Sequence, residues 1–155
     1  MEQTIQQIKE VITPKELLKH WQGHRTLTRR AIETFPEKEF FEFSVGGMRT
    51  FAEMTMELLG IAVPALREIT SGNITDLNDS FEHKNKKENI LKQWDTDTEE
   101  INRLFTEIPP EKFHERINLF GKYEGTVWSG IFYFIDNEIH HRAQGTEPPP
   151  FWDRP

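Results

Sequence analysis

The chain contains no cysteine, which removes disulfides, thiolate metal sites and a cysteine nucleophile together. Any metal would rest on His, Asp, Glu or amide ligands. Long apolar runs are also missing, and no stretch approaches the ~20 residues needed to cross a bilayer. The opening residues Met1-Glu2-Gln3-Thr4-Ile5-Gln6-Gln7 lack the basic segment and apolar stretch of a secretory signal. A cytoplasmic protein with no membrane partner is therefore expected. Positive charge is scarce, with 19 Lys and Arg against 26 Asp and Glu and a formal net charge of −7. Nucleic-acid affinity rests chiefly on Lys and Arg neutralising phosphates. The longest basic run, Lys84-Asn85-Lys86-Lys87, reads as a solvated loop, so no nucleic-acid partner is expected. The sequence also has no glycine-rich phosphate loop, no Gly-x-Ser-x-Gly elbow and no His-Glu-x-x-His motif, which leaves a serine triad unsupported.

What is present is bulk: twelve Phe and four Trp in 155 residues, enough for one domain over 1–155 with a real core. Four helical stretches alternate with polar connectors, and no β alternation stands out. The first opens at Thr13-Pro14-Lys15-Glu16, a capping box with Pro in the first turn. Leu17, Trp21, His24, Thr28, Ala31 and Phe35 follow at helical spacing until Pro36. An aromatic stretch spans Phe40 to Phe43. A second helix is expected from Met48 to Thr70 around Phe51, Met54, Leu58, Ile61 and Ala65, with Pro64 kinking it. A third opens with Asn85 as cap and carries Ile90, Leu91, Trp94, Ile101, Leu104 and Phe105 as far as Pro109-Pro110. The connector 111–125 holds Phe113, Phe120 and Tyr123, which either plug the bundle or form a lid. The fourth helix runs from about Thr126 to Gln144. Beyond it, Phe151 and Trp152 are expected to anchor a Pro-rich tail. The pattern predicts an all-α four-helix bundle. The number of Phe and Trp residues suggests a homodimer, since so many aromatics strain one small core.

The fourth helix is the informative segment. Val127, Gly130, Phe134, Asn137 and His141 form one seam, apolar or small at first and then polar at two residues spaced i, i+4. That spacing puts both side chains on one face, where they can grip a metal ion or simply hydrogen-bond. Glu57 lies in the apolar run around Met54 and Leu58, so it is either a buried carboxylate needing a partner or a flank residue reaching water. His24, on the first stripe, is a weaker candidate. Asp136 with His140, and Glu138 with Arg142, read as surface ion pairs. His20, His83 and His114 show no partner pattern.

Two segments together resemble the DinB-like family, which is related to bacterial thiol transferases and mycothiol-dependent isomerases. Asp136-Asn137-Glu138-Ile139-His140-His141-Arg142-Ala143-Gln144 is similar to the family's His-x-x-His-His-Arg-Gly-Gln helix. Thr50 to Leu58 is similar to its second-helix segment ending in a histidine. The resemblance implies a DinB-like four-helix bundle with a divalent metal, nickel or zinc, held by three histidines. The matching positions here are Glu57, Asn137 and His141. Two of the three histidines are thus replaced, a change toward an oxygen-preferring ion such as manganese. On this reading the protein is a metal-dependent hydrolase or a transferase using a low-molecular-weight thiol, with a small-molecule substrate and unassigned catalytic residues. The other reading is a non-catalytic bundle that binds a small ligand or protein partner around a degenerate metal site.

Overall fold

The computed structural model describes residues 10–75 and 81–146. Within them the order is α1 (Pro14–Thr34), α2 (Glu37–Glu42), α3 (Phe51–Ser71), α4 (Lys87–Thr106), a 3-10 turn (Pro110–His114), β1 (Arg116–Leu119), β2 (Tyr123–Thr126) and α5 (Val127–Gly145). The four long helices are the expected bundle. Phe151 and Trp152 lie outside the described residues. No helix among the described residues is long and apolar enough to cross a membrane.

Helix starts are set by side chains that satisfy the first free N–H groups. Thr13 and Glu16 form the anticipated capping box on α1. The same device opens α3, where Thr50 pairs with Glu53, so that helix begins at Phe51 and not at Met48. At α5 Thr126 pairs with Ser129. The proposed Asn85 cap on α4 is not used. Asn85 sits at φ 50°, outside cap geometry, and the Lys87 N–H donates instead to Glu37 Oε1 at 3.0 Å. A carboxylate from α2 therefore meets the positive end of α4. The Phe40–Phe43 stretch is mostly helical, because α2 turns Phe40 inward against Phe35 and Phe51.

Helix α3 lies at the centre, packed on α2, α4 and α5, while α1 packs on α4 and α5. Its central place explains why it is the most apolar helix. Pro64 lies within α3, which remains continuous from Phe51 to Ser71, and Gly72 closes it at φ 75°, a conformation that glycine adopts without steric cost. Every Phe and Trp among the described residues is buried or half-buried.

One element was not foreseen. Strands β1 and β2 form an antiparallel hairpin in register from Arg116↔Thr126 to Leu119↔Tyr123. Four residues per strand are too few for a period of two to stand out. The turn places Phe120 at φ 56° and Gly121 at φ 67°, an uncommon conformation for a bulky residue. It is held by Glu68 of α3, which is buried: Oε1 accepts the Phe120 N–H at 2.9 Å and Oε2 accepts the Thr75 N–H at 3.0 Å. Phe113 and Phe120 do plug the bundle, whereas Tyr123 is exposed. Replacing Glu68 by Ala strands two backbone donors, at about 1–3 kcal/mol for a buried unsatisfied group. Urea unfolding of Glu68→Ala is expected to show that loss, with faster amide exchange at Phe120; an unchanged midpoint would show that the clamp is idle.

Candidate functional site

Glu57 on α3 and Asn137 and His141 on α5 converge on one polar centre. His141 Nε2 lies 3.0 Å from Glu57 Oε1, and the Asn137 amide donates to the same oxygen at 3.4 Å. His141 is buried, while the Glu57 side chain keeps 27% exposure. The fourth member is Arg49, from the turn before α3, which ion-pairs with Glu57 Oε2 and places Nη2 3.5 Å from His141 Nε2. Arg49 had no sequence signature, because it stands in a connector eight residues from its partner. Burial pushes the Glu57 carboxyl up, but hydrogen bonds from Arg49 and His141 outweigh it and hold the group below the usual carboxylate value. The centre opens into a wide cleft of about 1010 Å³ whose walls include Lys38, Phe41, Glu53 and His83. His83 is not idle: it stacks on Phe41 and accepts the Asn85 N–H.

Behind this centre lies a second polar group. Glu138 is a correction to the surface ion pairs: it is 2% exposed, and its Oε1 accepts from Thr28 Oγ1 at 2.6 Å. Its cation is Arg25, not Arg142, at 3.9 Å. Arg25 is itself buried, stacks 4.0 Å over the Trp94 ring and donates to Trp94 O and Thr98 Oγ1. Arg142 instead donates to His24 O and Thr28 Oγ1 and lies 3.1 Å from His24 Nδ1. His24 therefore belongs to this group and not to the Glu57 centre. Burial, then the charge of Arg142, lowers its basicity. Burial also pushes the Glu138 carboxyl up, against Arg25 and Thr28. Trp21 Nε1 lies close to Glu138 without reaching hydrogen-bond geometry. Asp136 and His140 are exposed. On α1 the positions 24 and 25 both fit the spacing after Trp21, and the fold turns Arg25 inward.

Glu57, Asn137 and His141 offer a divalent metal one carboxylate, one amide and one imidazole. Nickel and zinc favour imidazole and thiolate donors, and here there is one imidazole. Its Nε2 faces the Glu57 carboxylate at 3.0 Å, and an ion there would have to take the place of that hydrogen bond. The Asn137 amide is neutral. Arg49 brings a permanent positive charge against the two remaining donors, where an ion would meet repulsion. Among the described residues no group of three or more His, Asp or Glu side chains is arranged to hold a metal. The donor set, with its single imidazole, does not fit nickel or zinc.

A helical bundle with a polar centre between its central and last helices is the class that this geometry defines. A model of the DinB family matches residues 1–147, and the chain belongs to that family. The crystal structure of a DinB-like protein from Bacillus cereus ATCC 10987 has the same fold, with a TM-score of 0.67 at 15% identity over 85% of this chain and 87% of that one. No curated protein matches the chain.

The lowered Glu57 carboxyl has a direct consequence for pH. A folded value below the unfolded one contributes stability that is present above about 4.5 and is lost as pH falls through the folded value. Glu57→Gln removes that contribution. Its stability relative to the parent is expected to be lowest near neutral pH and to approach the parent's in acid. Melting temperatures measured from pH 7 down to 3 check this, and a constant difference across the range would contradict it.

Proposed function

We propose that this DinB-family chain is a non-catalytic bundle that binds a small molecule, with its polar centre closed by protein groups in place of a divalent metal. The observation that carries the reading is Arg49. Its guanidinium engages Glu57 and approaches His141, supplying from within the chain the positive charge that a metal would bring. The Glu57 carboxylate is then compensated on one side by Arg49 and on the other by the His141 and Asn137 N–H groups. A partly buried carboxylate is stabilised by such partners, and Glu57 finds all of them within the chain. A hydrolase or thiol transferase acting through a metal would need an exchangeable position next to at least two good donors. Here Arg49 stands beside Glu57 and His141.

Metal analysis of protein purified without an affinity tag, after incubation with nickel, zinc or manganese, tests the proposal. The parent is expected to retain no stoichiometric metal. The double variant Arg49→Ala, Asn137→His removes the guanidinium and restores a second imidazole, and it is expected to acquire nickel or zinc. One tightly held ion per parent chain, lost in His141→Ala, would overturn the reading.

A further inference from the structure

One turn from the polar centre on both helices, the hairpin arches over α3 and α5 and encloses a cavity of about 240 Å³. Ile61 of α3 stands one turn beyond Glu57, and Tyr133 of α5 one turn before Asn137. Ile117, Leu119 and Phe120 of the hairpin and Phe134 of α5 supply most of the remaining apolar wall. The volume exceeds the ~150 Å³ apolar cavity that accepts benzene and falls below the ~300–1,000 Å³ of drug-sized sites. A bicyclic ring therefore matches its size. The cavity is built on fixed features. Phe120 holds its left-handed backbone because buried Glu68 binds its N–H. Gly130 permits the close approach of hairpin and helix, since a Cβ there would stand 3.0 Å from Leu119 Cδ1.

The polar lining selects the ligand's charge. No Lys or Arg lines the cavity, and Glu124 is its one charged residue. The Ser129 hydroxyl is engaged in the α5 cap, donating to Thr126 O and accepting the Thr126 N–H. The Tyr123 and Tyr133 hydroxyls, with the Glu124 carboxylate, are groups of the lining able to exchange a hydrogen bond, and both rings are about half exposed. Burial, then the nearby Glu57 charge, disfavours ionisation of Tyr133, and Glu124 with no cation beside it in the lining makes the cavity unfavourable to anions.

We infer that this hairpin cavity is the small-molecule site of the chain, taking an uncharged aromatic molecule of bicyclic size that offers a hydrogen-bond donor to the tyrosine rim. The inference rests on the binding reading above and names its site and ligand class.

Indole is the probe, and indole-3-acetate its anionic counterpart. Methyl NMR of the full chain is expected to show saturable shifts at Ile61, Ile117 and Leu119 with indole, and much weaker ones with indole-3-acetate. Ile61→Trp fills the cavity and is expected to abolish the shifts of Ile117 and Leu119. Tyr133→Phe, on an exposed helix face, keeps the fold and is expected to weaken indole binding by roughly fivefold, the value of one hydrogen bond. If Ile61→Trp does not fold, Tyr133→Phe and the paired probes decide. Shifts that do not saturate, that spread evenly over the protein, or that are equal for both probes overturn the inference. The metal-free reading fails separately: a parent that holds metal yet binds indole here overturns only the earlier proposal, and a metal-free parent that ignores indole overturns only this one.

Discussion

Glu138 carries a carboxylate into a site that water does not reach, and the surrounding helices are arranged to satisfy it. Thr28 of α1 donates to it, and Arg25 of the same helix lies 3.9 Å away, itself braced by Trp94 and Thr98 of α4. Three helices thus meet around one buried ion pair. Desolvation offsets much of the Coulomb attraction in such a pair, so its larger effect is on orientation. An α5 rotated away from α1 would leave Glu138 without Thr28 and Arg25, and Arg25 without its buried carboxylate, which is far costlier than the loss of a surface contact. Apolar positions tolerate small rotations; this pair does not.

The rotation of α5 in turn places the candidate site. Successive helical residues are turned by about 100°. With Glu138 directed at α1, Asn137 lies one step aside, and His141 falls within about 40° of Asn137. That face is the one that meets Glu57 on α3. The two polar groups are therefore coupled by helix geometry. The three residues that match the family's site positions form a hydrogen-bonded arrangement. A histidine bonds to a glutamate, an asparagine supports it, and an arginine balances the charge.

The hairpin follows a different logic. It is a short non-helical insertion held by a buried acceptor, and its strained residue is neutralised locally: the Phe120 N–H, which could join no ladder in that conformation, finds Glu68. The wall it adds over α3 and α5 turns a plain helix pair into a concave surface. Strain of this sort persists only where its surroundings enforce it, and here the enforcing residue belongs to the central helix.

Local order was legible in the chain. Thr13 with Glu16, the apolar periods through Leu17, Trp21 and Thr28, and the stops at Pro36 and Gly72 define helices by contacts within four residues, which is the range that a sequence pattern encodes. Asn137 and His141 were readable as one face for the same reason, and Glu57 as a partner through the family resemblance. Tertiary structure alone decided which polar residues were buried. Arg25 and His24 are equally compatible with the α1 stripe, Glu138 is indistinguishable from a surface acid beside Arg142, and Arg49, Glu68 and the four-residue strands carry no period at all. Their partners lie across helix interfaces, on other elements, so what fixes them is the distance between elements after packing, which no spacing along a single helix records.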